Sequence, residues 1–307
     1  MISVVTPTYN EVKNIEKLTE EIKKIFKKLN ISYEQIIIDN NSNDGTIEKI
    51  KKIAAKDKNI KVIINNKNYG HILSPYYGLL QARGDASILM ASDFQDPPDL
   101  IEKFIKYWNE GYKIVLAQKN KTKENFIMRN IREFYYKILN KISFTELTIN
   151  TTGTGLFDKK IIELLKKIND PYPYLRGLVL SFGFKTKLVK FDQPKRASGK
   201  SKNNFFTLVD IGLLGLTKNS IIPLRLMTIF GLFGSTIFLI IGIGYLIAKL
   251  LFWNSFQAGL APLIIGIFFI GSILIFMIGM IGEYIKIIID YTKSNHPLVI
   301  ERERINF

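Results

Sequence analysis

Cysteine is absent from the 307 residues, which excludes disulfides, thiolate metal ligands and a thiol nucleophile. Histidine is scarce: His71 and His296 are the only two, too few for a histidine-built metal centre. Acids are in deficit, 27 against 43 lysines and arginines, leaving a formal net charge of +16. Such a surplus favours an anionic partner: nucleic acid, a phospholipid surface or a phosphorylated small molecule. No helix-turn-helix or zinc spacing accompanies it, so no nucleic acid is expected among the partners. Charge is nearly missing over one long stretch. From Leu226 to Gly282 the only ionisable side chain besides Tyr245 is Lys249.

That stretch holds two apolar blocks, about 226–252 and 260–282. Each exceeds the ~20 residues that a helix needs to cross a hydrocarbon core. Between them "WNSFQAGLAP" is polar and turn-rich, with Trp253 placed as an interfacial anchor. Glycines such as Gly231, Gly234, Gly271 and Gly279 permit close helix packing. The expectation is two antiparallel transmembrane helices, with a buried helical hairpin as the alternative. Lys218, Arg225, Lys286, Lys293, Arg302 and Arg304 flank the pair, which places both termini in the cytoplasm. The opening "MISVVTPTYNEVKNIEK" turns polar too early for a signal peptide. Helices of this kind often associate, so a homo-oligomer is a further expectation.

The first two hundred residues alternate short β-branched runs with amphipathic stretches. "ISVVT" (2–6), "YEQIIID" (33–39), "IKVII" (60–64), "ASILMAS" (86–92) and "KIVLA" (113–117) read as strands. Ile15, Leu18, Ile22, Ile25, Phe26 and Leu29 recur at helical spacing, and further helices are expected near 45–56, 73–82, 98–110 and 125–142. The fold class is α/β with a mostly parallel, doubly wound sheet. Ligands of such sheets bind beyond the carboxyl ends of the strands. The segments there are "TPTYNE" (6–11), "DNNSNDGT" (39–46), "NNKNYG" (65–70) and "SDFQDPP" (92–98). Each alone could be a turn. Four at one edge point to a shared ligand.

This ordered set resembles the nucleotide-sugar-binding domain of glycosyltransferase family 2, and within it the polyprenyl-phosphate glycosyltransferases, a group that includes dolichyl-phosphate mannose synthase and bactoprenol glucosyltransferase. The likeness continues through "RASGKSKNN" (196–204), "SIIPLR" (220–225) and the apolar blocks. It implies a GT-A catalytic domain over 1–202, an interfacial amphipathic segment over 203–224, two transmembrane helices within 225–285 and a cytoplasmic tail over 286–307. The implied reaction is inverting transfer of a hexose from a nucleoside-diphosphate sugar, expected to be a UDP-sugar, to polyprenyl phosphate in cell-envelope synthesis. The implied place is the inner face of a bacterial cytoplasmic membrane, in contact with phospholipid.

By the same resemblance Pro7, Tyr9, Glu11 and Asp39 would hold the nucleoside. Asn40 stands where the family often has a second Asp. The family binds Mg²⁺ or Mn²⁺ through an Asp-X-Asp motif, a role suited to hard oxygen ligands. This chain offers Ala91-Ser92-Asp93, so metal and diphosphate binding falls on Asp93. Asp96 reads either as a catalytic contact beside it or as a cap of the following helix, and Asp99 reads as a helix-start residue. Arg129, Arg132 and Arg176 are candidate clamps for the acceptor phosphate, while Arg196, Ser201 and Lys202 would engage either phosphate. "GTGLFD" (153–158) aligns with the family's "DFRLMD", with Gly153 in place of the proposed catalytic Asp and Asp158 matching the second acid. Two other readings stay open: the same donor chemistry with a lipid-linked oligosaccharide as acceptor, or a non-catalytic sugar-nucleotide-binding protein.

Overall fold

Three consecutive isoleucines, Ile36 to Ile38, show how this sequence builds its sheet. The computed structural model describes residues 1–120, 151–168, 170, 173–194, 222–251, 260–292 and 299–307. In it the three isoleucines form the centre of β2 (Tyr33–Asp39), and none is exposed. Ile36 and Ile38 face one layer with Val5, Ile63 and Leu79, while Ile37 faces the other with Ile15, Ile50 and Val62. Successive strand residues point to opposite faces, so an unbroken apolar run marks a strand covered on both sides.

Beside it, β1 (Ile2–Thr8), β3 (Ile60–Asn65) and β4 (Ala86–Leu89) run parallel. With β5 (Ile114–Lys119), β6 (Thr151–Asp158), β7 (Thr186–Phe191) and β8 (Glu301–Ile305) they form one sheet of order β7-β5-β6-β4-β1-β2-β3-β8. β5 and β7 pair parallel, whereas β6 is antiparallel to β4 and β5, and β8 to β3. The expected α/β architecture is therefore present as a mixed sheet.

Helices cover both faces. α1 (Ile15–Leu29) buries Ile15, Leu18, Ile22, Ile25 and Phe26 on one side and stops at Asn30, whose φ of 52° ends the right-handed turn. Each such fully buried side chain contributes about 1.5–3 kcal/mol. α2 (Thr46–Lys56), α3 (Gly70–Leu80) and α4 (Leu100–Asn109) follow β2, β3 and β4. α5 (Lys159–Lys167) and α6 (Leu175–Ser181) follow β6. α3 lies close on the sheet: a Cβ at Gly78 would come within 2.7 Å of Val5 Cγ1, so only glycine fits there.

Several expectations shift. β4 ends at Leu89 rather than 92, although Met90 N still donates to Val5 O at 2.9 Å. Ser92 is 3% exposed and its Oγ donates to Pro7 O. The last three strands and α5 and α6 were not anticipated. The helix expected over 125–142 lies outside the described residues, as do residues 195–221, which hold the basic run and most of the interfacial segment expected over 203–224.

The two apolar blocks do form helices, α7 (Ile222–Leu251) and α8 (Leu260–Thr292), with large apolar side chains such as Phe230, Phe233, Ile275 and Phe276 exposed. The membrane expectation is nevertheless corrected. Among the described residues no helix is long and apolar enough to cross a membrane. The multi-pass inner-membrane placement, and the orientation derived from it, fall with that finding.

Candidate functional site

The carboxyl ends of β1 to β4 meet along one edge of the sheet, and β6, running the other way, brings its first residues to the same edge. Its opening Thr151 lies opposite Gln118 of β5 and its Gly155 opposite Leu89 of β4. The polar segments singled out in the sequence therefore do converge, and "TTGT" (151–154) joins them.

One wall is built from the turns after β1, β2 and β3. Asp39 has no exposed surface, and its two carboxylate oxygens accept from Ser42 N at 2.8 Å and Ser42 Oγ at 2.6 Å. Burial pushes its carboxyl above the usual range, against the opposing hydrogen bonds from Ser42 and Asn41. Ser42 Oγ in turn accepts from Asn10 N at 2.8 Å. Glu11 is buried at the approach to α1, where its Oε2 accepts from Asn14 Nδ2 at 2.6 Å. Pro7 and Tyr9 are half-buried beside it.

Asn40 explains its own departure from the family's second Asp. Its Nδ2 donates to Asn68 Oδ1 at 2.7 Å and Gly70 O at 3.1 Å. Its Oδ1 accepts from Tyr69 N at 2.8 Å and Asn65 Nδ2 at 3.1 Å. Only an amide can donate and accept in this way; a carboxylate would face two acceptors with no proton to offer.

The opposite wall carries two carboxylates, Asp93 and Asp96. Asp93 is half-buried, and its Oδ1 accepts from Gln95 N at 3.2 Å across Phe94, which holds a φ of 57°. A positive φ is costly for a bulky residue, so this turn holds Asp93 at the sheet edge under strain. Asp96 is 7% exposed; its Oδ2 accepts from Thr154 Oγ1 at 2.5 Å, and its Oδ1 has no hydrogen-bond partner among the described residues. Burial drives its carboxyl upward, the threonine hydrogen bonds oppose this, the Asp93 charge adds to it and Lys119 opposes it. Asp96 does not cap α4: Asp99 occupies the N-cap position, without a side-chain cap bond, while Leu100 N and Ile101 N bond Pro97 O and Pro98 O.

Asp158, the second acid of "GTGLFD", lies away from the site. β6 runs antiparallel to β4 and sets Asp158 opposite Ala86, at the far edge. There it accepts from Trp108 Nε1 and Lys113 Nζ, both at 2.8 Å, and caps α5 through Lys160 N. Burial raises its carboxyl, but these hydrogen bonds outweigh it and hold the group below the usual range.

Arg176 does reach the site edge. Its half-buried side chain sends Nη2 to Thr152 O at 2.9 Å. Gly153 follows with φ 99°, and a Cβ there would sit 3.6 Å from Arg176 Nε and Nη2. His71, exposed near the start of α3, lies within electrostatic reach; desolvation and the Arg176 cation hold its imidazole below its ordinary range. Arg129, Arg132, Arg196, Ser201 and Lys202 lie outside the described residues. The sequence reading missed Ser42, His71, Lys119 and Thr154. The run of hydroxyls in "TTGT" beside two glycines was the available signal for the last.

Among the described residues no three His, Cys, Asp or Glu side chains come together as a metal cage. Two neighbouring carboxylates at the sheet edge can instead share a cation with an anionic ligand.

Comparison with known proteins bears on the family and the fold. The family model for "Glycosyl transferase family 2" matches residues 3–165. An uncharacterized glycosyltransferase, YkcC, of Bacillus subtilis (strain 168) is 30% identical over 306 residues, covering 98% of this chain and 93% of that protein. A bactoprenol glucosyl transferase of Shigella phage SfV is 29% identical over 304 residues, covering 99% of each. Among solved structures, glucosyl-3-phosphoglycerate synthase from Mycobacterium tuberculosis, in complex with Mn²⁺, UDP and phosphoglyceric acid, superposes with a TM-score of 0.51 at 17% identity, covering 71% of this chain and 76% of that one.

Proposed function

We infer the reaction from one premise: the chain belongs to glycosyl transferase family 2. It is a glycosyltransferase with a GT-A fold and a nucleotide-sugar donor. Beyond that, we propose that it moves a hexose from a UDP-sugar to a polyprenyl phosphate, with inversion. The observation that carries the proposal is the pairing of opposite charges across one sheet edge: Asp93 and Asp96 on one side, Arg176 on the other. A donor diphosphate needs its charge neutralised as the sugar bond breaks, and an acceptor phosphate needs a cation to hold it.

Pro7, Tyr9, Glu11 and Asp39 form the wall that would take the nucleoside. Asp39 would act mainly by fixing the shape of the β2 turn, since Ser42 already occupies both its oxygens. The orphaned Oδ1 of Asp96 and the half-buried Asp93 fit a divalent cation such as Mg²⁺ or Mn²⁺. When bound, that cation would supply charge neutralisation to the leaving diphosphate.

The acceptor oxygen of a phosphate monoester is already anionic, so no general base is required. The protein's task reduces to positioning two like-charged reactants in line. Arg176 would serve here, with Arg129, Arg132, Arg196, Ser201 and Lys202 as further phosphate ligands. The exposed apolar side chains of α7 and α8 suit an isoprenoid chain. The full-length similarity to a bactoprenol glucosyl transferase supports the same acceptor class.

A panel of radiolabelled UDP-sugars, incubated with and without undecaprenyl phosphate, tests the proposal. Label should enter the lipid fraction only when the phosphate is present. Label appearing on a lipid-linked oligosaccharide instead would overturn the acceptor.

A further inference from the structure

Arg176 has an unusual neighbourhood for a half-buried arginine. Among the described residues no carboxylate forms an ion pair with it, and its Nη2 donates to a backbone carbonyl, Thr152 O. The residue facing the guanidinium is Gly153, at the distance where an acidic side chain would begin. A Cβ on residue 153 would stand 3.6 Å from two guanidinium nitrogens, ordinary contact with no clash. The gap is therefore not forced by crowding. The φ of 99° favours glycine and would strain any side chain at 153, so space is available beside the guanidinium while the backbone itself keeps a carboxylate away from it.

We propose that residue 153 decides what Arg176 binds: glycine leaves the guanidinium open to an exchangeable phosphate monoester, the head group of the acceptor, where a resident carboxylate would hold it permanently. This rests on the acceptor class given above and adds a specificity determinant to it. Guanidinium forms its strongest hydrogen bonds with carboxylate and phosphate in the same forked geometry. A side-chain carboxylate and a ligand phosphate therefore compete for one surface. Gly153 resolves the competition for the ligand. His71 lies within electrostatic reach of the same cation and is a second group able to hydrogen-bond a phosphate oxygen.

The arrangement also separates the two anions of the reaction. Asp93 and Asp96 repel a bare phosphate from their side of the edge, whereas Arg176, across Thr152 and Thr154, attracts it. The donor diphosphate belongs with the carboxylate pair through a shared cation, and the acceptor with the arginine. One strand, β6, sets the spacing between the two subsites, because Thr154 anchors Asp96 and Thr152 anchors Arg176.

The test uses the full chain and three probes: farnesyl phosphate, inorganic phosphate and UDP. Gly153→Asp should weaken farnesyl phosphate and inorganic phosphate by about tenfold or more, the scale of a lost charge-assisted contact. Gly153→Asn has the same backbone demand and nearly the same size without charge, and should weaken them less than about threefold. UDP affinity should stay within about twofold for both variants. In an Arg176→Gln background Gly153→Asp should add no further loss, since the two changes act on one contact. Equal losses for Asp and Asn would overturn the proposal in favour of simple bulk. Loss of UDP binding in parallel would assign Arg176 to the donor and overturn it as well. Should Gly153→Asp fail to fold, Arg176→Gln against Arg176→Lys decides: phosphate binding must fall in the first and partly return in the second. Wild-type protein that binds phosphate in this Gly153-dependent way but never glycosylates a polyprenyl phosphate would defeat the acceptor reading and leave this site standing.

Discussion

Along the site edge the turns after β2 and β3 differ sharply from those after β4 and before β6. On the first side Ser42 meets both oxygens of Asp39, and Asn40 makes four hydrogen bonds. On the second, one oxygen of buried Asp96 is unmatched, Phe94 holds a positive φ, and no acid among the described residues pairs with Arg176. Both sides are rich in polar residues, so composition does not distinguish them. What differs is whether polarity is consumed internally or left for a ligand. A shaped, self-satisfied wall suits recognition of a flat nucleoside. A charged wall suits groups that arrive with charge of their own.

Breaking the charged side should have the largest effect. Asp93→Ala should lower transfer about a hundredfold or more and barely move the melting temperature, as read from initial rates and a thermal scan. A loss of stability in proportion to activity would mean that Asp93 is structural and that the two sides do not differ as described. On the self-satisfied side, Asn40→Asp should do the reverse. It sets a carboxylate against Asn68 Oδ1 and Gly70 O and should cost about 2 kcal/mol in urea unfolding. Nucleotide binding should fall only as far as the turn loosens.

Asp158→Asn sharpens the comparison at the other end of β6. Its carboxyl lies below the usual range in the folded protein. The stability it contributes is thus present above the unfolded pKa of an Asp and lost as pH falls through the folded value. Wild type should lose about 1–2 kcal/mol across that acid window. The asparagine variant should be less stable at neutral pH and flatter in acid, as chemical denaturation at stepped pH would show. A parallel offset at every pH would remove Asp158 as the cause. The smallest effect belongs to Asp99→Ala. This exposed residue makes no side-chain cap bond, so both stability and rate should stay within about 0.5 kcal/mol of wild type.

The self-satisfied side was the more legible in sequence. β1 to β3 announce themselves through β-branched runs, and Asp39 stands at the end of one of them. The charged side depends on strand direction, which periodicity does not encode. "TTGTGLFD" reads as a motif before it reads as a strand, and its antiparallel course exchanges the expected roles of its ends. Gly153 and Thr154 come to the site, while Asp158 goes to the far edge. Ser92 follows an apolar run, and its hydrogen bond to Pro7 O buries it. Ala91 and Gly153 were visible as absences, but only the position of Arg176 gave the second a chemical meaning. β8 was illegible for a different reason: "ERERI" carries the charges typical of a sheet edge, which in sequence resemble a solvated tail.

That eighth strand has a consequence for how the chain reaches its native state. Asn306 Nδ2 donates to Ala54 O and Ile60 O, closing the first of these contacts across 252 residues, and β8 covers the outer edge of β3. Pairings of such sequence separation form slowly. Until β8 arrives, the apolar β3 presents an open row of backbone donors and acceptors, a template for a neighbouring chain to pair with. The tail is thus the molecule's guard against self-association during folding, and its absence should appear first in refolding yield.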